Sequence, residues 1–269
     1  MILPVKYKMK PPPSARLISG HPLSRGLAGL WLFNEGSGRR VFDLSGNNKT
    51  GNFVGDTAWV AGKFGSCLSF DGTWDYVDTS LVNIGNLNAY TIVSWAKTTN
   101  NGSQMEIVGW APETNPIIQF GKYGAENQAM FHHRDDSSIT ASMFSAGPAI
   151  NDGKWHQIVG VRYAANNFKL LVDTVIVNTS TGSPGTTTLT TTSIGCLPRV
   201  TPVFFWNGTI DDVMIYNRAL SASEIAQLYR EPFCMFERTP SKAYFFVSAV
   251  APPLEHPYYY REFANRRVA

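Results

Sequence analysis

Two pairs of neighbouring carboxylates, Asp135-Asp136 and Asp211-Asp212, and the run His132-His133-Arg134 are the groups in this 269-residue chain with the most chemistry in them. Paired carboxylates can cleave a glycosidic bond only when both reach the same scissile bond. Neighbours on a strand point to opposite faces, so neither pair can act as an acid–base couple. Two histidines side by side on a strand are more often incidental than catalytic, and no catalysis is expected. The three cysteines, Cys67, Cys196 and Cys234, are far apart and lack a CxxC pair. That pattern argues against a disulfide framework or a structural zinc and for buried free thiols.

The elements that must hold these residues are strands. Charged residues make up 16% of the chain, below the roughly 25% of an average domain, and Thr, Ser, Asn and Gly fill the gap. Alternation is clearest over Trp155–Tyr163, where Trp155, Gln157, Val159, Val161 and Tyr163 share one face and His156, Ile158, Gly160 and Arg162 the other. This predicts a sheet with its apolar side in the core. Phe168–Val177 follows the turn Asn166-Asn167 and completes a hairpin. Further strands are expected at Leu30–Asn34, Cys67–Phe70, Tyr76–Thr79, Tyr90–Lys97, Glu106–Trp110, Ile117–Gly121, Ala129–Arg134, Ser193–Gly195 and Gly208–Tyr216. Many short strands without intervening helices mean an all-β, two-sheet antiparallel sandwich. One short C-terminal helix is predicted over Ala222–Arg230, because Ser221 and Glu224 form a capping box and Pro232 stops it.

Composition divides the chain into three zones: residues 1–26, 27–230 and 231–269. The first is Pro-rich and carries +5, the last carries +1, and the net charge of +3 leaves the body at −3. A mildly acidic body is not a nucleic-acid-binding domain, which would show a basic face. No apolar run is long enough for a transmembrane helix, and the amino terminus lacks a secretory apolar segment. Synthesis and use in the cytoplasm are therefore expected, without membrane insertion. The last zone is dense in aromatics: Phe233, Phe236, Tyr244, Phe245, Phe246, Tyr258, Tyr259, Tyr260 and Phe263. Both ends are expected to be extended arms ordered by neighbouring molecules.

The ordered runs GLAGLWLFNEGSGRRVFDLSGNNKTGNF, GKFGSCLSFDGTWDYVD, TIVSWAK, DGKWHQIVGVRY, KLLVDTVIV and GTIDDVMIYNRALSASEIAQLY resemble the laminin G-like, concanavalin A-like lectin/glucanase superfamily. The resemblance covers residues 27–230 and implies a jelly roll of two curved antiparallel sheets. It departs from the family pattern at Asp173-Thr174, where an Asp-Gly or Asn-Gly turn is usual. Thr tolerates positive φ poorly, so another turn geometry is expected there. No cofactor is required, but related folds hold a structural calcium near the last strand. Here Asp211, read as an inward carboxylate on the face of Val213 and Ile215, could bind it with Asp43 or carbonyls near Glu35–Gly38. The alternative is that backbone amides alone satisfy Asp211.

Glucanase members place their carboxylates as Glu-x-Asp-x-Glu, which does not occur here. Lyase members use His, Tyr, Arg and Gln, of which His132, His133, Arg134 and Gln119 are only a thin echo. A glycan site would use Trp110, Gln119, Tyr123, His132, Arg134 and Asp136, with Trp74 and Trp206 at loop rims. The run LYREPFCMFER is similar to that of laminin G-like proteins from bacteriophage genomes. The expected role is thus a non-catalytic virion protein of a phage head or tail, such as a capsid decoration. Its partners would be other virion proteins and copies of itself, with glycan or host-surface adhesion as a possible further job. A free carbohydrate-binding module is the alternative.

Overall fold

A computed structural model describes residues 9–84, 88–111, 115–124, 126–144 and 148–237. Runs rich in β-branched and aromatic residues, broken by Gly, Asn, Asp and Thr, form the strands within it. In chain order these are β1 (Leu27–Trp31), β2 (Arg40–Val41), β3 (Gly51–Val54), β4 (Ala58–Ala61), β5 (Ser66–Asp71), β6 (Tyr76–Asp78), β7 (Tyr90–Lys97) and β8 (Met105–Trp110). They continue as β9 (Ile117–Tyr123), β10 (Gln128–Arg134), β11 (Thr140–Phe144), β12 (His156–Ala164), β13 (Asn167–Val172), β14 (Val175–Ser180), β15 (Thr192–Ile194) and β16 (Asn207–Tyr216). One eight-stranded sheet runs β14-β13-β12-β7-β16-β5-β4, with β1 also paired to β16; the other runs β11-β10-β9-β8-β15-β6-β3-β2. The result is an all-β antiparallel sandwich with one short helix, α1 (Ala222–Arg230), near its end.

Two cores hold it. The larger lies between the sheets and includes Trp31, Trp110, Phe120, Phe131, Ile158 and Val213. The second lies on the far side of the first sheet, where Val93, Val159, Val161, Met214 and Tyr216 meet Leu23, Leu220, Ile225, Leu228, Phe233 and Met235. The first sheet is therefore covered on both faces, and this revises the expectation for β12. Its apolar side, Val159 and Val161, faces the second core. Its mixed side looks between the sheets, where a Cβ on Gly160 would lie 2.8 Å from the Phe131 ring.

Helix α1 forms as its sequence predicts. Ser221 accepts from the Glu224 amide at 3.3 Å, and the Glu224 carboxylate accepts from the Ser221 amide at 2.9 Å. The β13–β14 hairpin does not follow expectation. Asp173 and Thr174 have φ values of 49° and 72°, so the ordinary two-residue turn is made with Thr in a left-handed conformation. Asp211 also differs, because a bulge interrupts β16 between Asp211 and Val213, with Asp212 at φ 49°. The extra residue moves Asp211 off the face of Val213 and Ile215 and turns it away from the inter-sheet core.

The described parts of both ends pack on this same domain. Leu17 bridges Phe236, the Ile18 amide donates to the Met235 carbonyl at 2.8 Å, and the Glu237 amide donates to the Arg16 carbonyl at 2.8 Å. Phe233 and Phe236 are buried in the second core and so are not an assembly arm. Tyr244, Phe245, Phe246, Tyr258, Tyr259, Tyr260 and Phe263 lie outside the described residues. Among the described residues no helix is long and apolar enough to cross a membrane.

Candidate functional site

Strand alternation sorts the candidate glycan residues. On β9, Ile118 and Phe120 enter the core between the sheets, so Gln119 and Tyr123 point outward. On β10, Ala129 and Phe131 enter that core, which turns His132 and Arg134 to the same outer face. Gln119 sits opposite His132, and His132 opposite Ser142, in one cross-strand row. Two candidates do not join them. Trp110 is fully buried, and its indole N–H donates to the Val82 carbonyl at 3.3 Å. Asp136 accepts from the Thr188 amide and hydroxyl, both at 2.9 Å, and so pins a loop instead of facing a ligand.

Sequence reading missed Glu106 on β8, which stands opposite Gly121 and reaches Gln119 through a side-chain hydrogen bond. Its Oε1 accepts from Gln119 at 2.8 Å and from Gln104 at 3.2 Å. The hairpin-like loop 196–206 covers it: Leu197 pairs with Val203, and the Glu106 amide donates to the Phe204 carbonyl at 2.9 Å. Gly109 permits this approach, because a Cβ there would lie 2.5 Å from the Cys196 carbonyl oxygen. Burial pushes Glu106 up to about 8 against the opposing bonds from Gln104 and Gln119, so it is largely protonated at neutral pH. Burial, and then the charge of Arg134, pushes His132 down to about 4. Glu106 Oε2, His132 Nε2 and Arg134 Nε are buried without a hydrogen-bond partner. Three polar atoms, one on each of these side chains, are thus left unpaired beneath the surface. The groups that act on Glu106 are Gln104, Gln119 and the Phe120 backbone, none of them a second carboxylate.

The same loop carries aromatic residues to the surface. Phe205 lies 5.5 Å from the Trp74 ring and 6.3 Å from the Tyr76 ring, centroid to centroid. Trp74 is 56% exposed and has φ 59°, and Phe204 is 39% exposed with φ 57°. A bulky side chain at positive φ costs on the order of 1–3 kcal/mol, and such strain gathers at functional sites. Asp75 holds the Trp74 turn from below, accepting from the Asp56 amide at 2.6 Å and the Asp71 amide at 3.0 Å. Trp206, the other expected rim residue, is fully buried.

The histidine pair splits between faces. His133 is buried inside, with Tyr90 Oη 3.0 Å and Arg162 Nη1 3.4 Å from Nδ1, and Thr187 Oγ1 2.9 Å from Nε2. Because Arg162 can only donate, Nδ1 is the acceptor and Nε2 carries the proton, which Thr187 accepts. Arg162 also donates to the Pro184 carbonyl at 2.7 Å. Asp135 accepts from the Gly185 amide at 2.5 Å. This network fastens loop 181–191, whose Thr187, Thr188 and Leu189 form, with Leu81–Ile84, a cleft of about 240 Å³.

The residues suggested for calcium do not fit that ion. Asp43 is filled by the Leu30, Ser45 and Lys49 amides and the Ser45 hydroxyl, at 2.9–3.0 Å. Asp211 Oδ2 accepts from the Lys63 and Phe64 amides at 2.9 and 3.3 Å, and its Oδ1 is paired with the ammonium of Lys10. The two carboxylates serve separate turns. A fixed positive charge stands beside the one that the ion would need.

Comparison with known proteins is informative at the level of the fold. The binding domain of Paraclostridial Mosquitocidal Protein 1 superposes with a TM-score of 0.59 at 15% identity, over 77% of this chain and 52% of that one. Domain 4 of AbnA, a GH43 extracellular arabinanase from Geobacillus stearothermophilus solved with arabinotriose, gives 0.58 at 19% identity, over 76% and 98%. A botulinum neurotoxin type C structure, described by its dependence on two ganglioside molecules for cell entry, gives 0.61 at 13% identity, over 77% and 51%. The chain thus spans about half the length of the toxin structures and nearly all of the arabinanase domain. No curated protein sequence matches it significantly. A family model described as Concanavalin A-like lectin/glucanases superfamily matches residues 71–226, more than half the chain. Strand order, double-sheet packing and that match together place the chain in the concanavalin A-like lectin/glucanases superfamily.

Proposed function

We propose that this chain is a non-catalytic glycan-recognition domain that binds across the outer face of its second sheet. The observation that carries the reading is Trp74, more than half exposed and held at positive φ against Phe205. An exposed ring offers a flat apolar surface to the C–H face of a sugar, and fixed polar groups beside it select orientation. Arg134 and His132, both half-buried, supply such groups on the same sheet face, with Gln119 buried beside them and bonded to Glu106. The arabinotriose complex and the ganglioside-dependent toxin named above support this choice of ligand class.

The virion reading drew on two ends ordered by neighbours. Leu17, Phe233 and Phe236 pack on their own domain and so drop out of that argument; the other tail aromatics lie outside the described residues.

The test is a glycan array, neutral and acidic, probed with the full chain, followed by calorimetry on the best ligand. Trp74→Ala should weaken that ligand by at least about tenfold, as loss of one stacking contact implies, with an unchanged melting temperature. A blank array, or a Trp74→Ala variant that binds as well as wild type, would overturn the reading.

A further inference from the structure

The strongest unexplained feature elsewhere is a buried cluster of one lysine and two aspartates. Lys10 comes from the Pro-rich N-terminal segment, yet its side chain is only 5% exposed. That segment is tied down beside it, where the Asn34 side-chain Nδ2 donates to the Pro11 carbonyl at 2.7 Å. The ammonium donates to Asp211 Oδ1 and, at 2.5 Å, to the Ser66 carbonyl, and lies 3.4 Å from Asp212 Oδ1. Asp212 is 1% exposed, and neither of its oxygens has a hydrogen-bond partner. Three oxygens from two strands thus converge on a single point, which the ammonium fills.

We propose that Lys10 is the resident cation of this fold, and that its removal uncovers a divalent-cation site made by Asp211, Asp212 and the Ser66 carbonyl. The physical reason is charge balance. Without the ammonium, a buried carboxylate and carbonyl lose their partner, and such unpaired charge is strongly destabilising. A hard dication with oxygen ligands can restore it, its remaining positions taken by water. Two carboxylates and one carbonyl make a weak site, in the range of about 0.1–1 mM. The N-terminal segment therefore makes the fold independent of calcium as long as it stays in place.

The test uses the full chain and follows thermal unfolding with calcium, magnesium or EDTA. Wild type should be indifferent to all three. Lys10→Met should melt lower by roughly 10 °C, and about 5 mM calcium should recover several degrees of that loss. Adding Asp211→Asn to Lys10→Met should abolish the recovery. If Lys10→Met does not fold alone, refolding it in calcium must yield folded protein. Wild type stabilised by calcium, a Lys10→Met variant as stable as wild type, or one that calcium neither stabilises nor refolds would each overturn the proposal.

Discussion

A single buried carboxyl shows how position sets chemistry at the residue scale. Glu106 lies under loop 196–206, and burial moves it from 4.5 to about 8. Between those values the folded state keeps a proton that the unfolded chain has released, so stability falls as pH rises. The slope is at most about 1.4 kcal/mol per pH unit. Glu106→Gln removes this dependence. Urea midpoints of variant and wild type should converge near pH 4 and separate by pH 8, with the variant the more stable. Equal slopes for the two proteins would show that Glu106 ionises normally. The same burial disqualifies Trp110 as a sugar platform, while the exposed Trp74 qualifies.

Among the elements, the β13–β14 hairpin shows local preference giving way to tertiary demand. Leu171 and Val172 are buried, and a two-residue connection must deliver β14 beside them in register. That geometry needs positive φ at both turn positions, so Thr174 accepts φ 72°. Thr174→Gly should relieve the strain and stabilise the protein by about 1 kcal/mol, somewhat less than the full left-handed penalty because glycine is freer when unfolded. Chemical denaturation measures this directly, and a destabilised glycine variant would contradict it. The bulge in β16 works in the same sense, since one extra residue carries Asp211 to Lys10 and away from the core.

For the whole molecule, the second core decides where the domain ends. The first compact unit runs to Arg238, and Phe233, Met235 and Phe236 are each at most 3% exposed within it. Burying side chains of this size contributes about 1.5–3 kcal/mol apiece. A chain cut after Arg230 should therefore be several kcal/mol less stable than a chain ending at Arg238. Comparison of the two truncations by thermal unfolding checks this. Equal stability would mean that the second core contributes little.

The sequence alone determined most of the strands, the two-sheet class and the capped helix, because alternation, turn residues and a capping box are local signals; it missed β2, β3, β4 and β11, where that signal is short or weak. Gln119, Tyr123, His132 and Arg134, named from one stretch of the sequence, share the outer face of β9 and β10, whereas Trp110 and Asp136 do not join them. Only the tertiary structure decided which side of β12 met which core, since both faces of that sheet are covered and alternation cannot name the partner. The same holds for Glu106, Lys10 and Phe205. Each acts through a contact with a segment remote in the chain, and no spacing along the sequence encodes a contact of that kind.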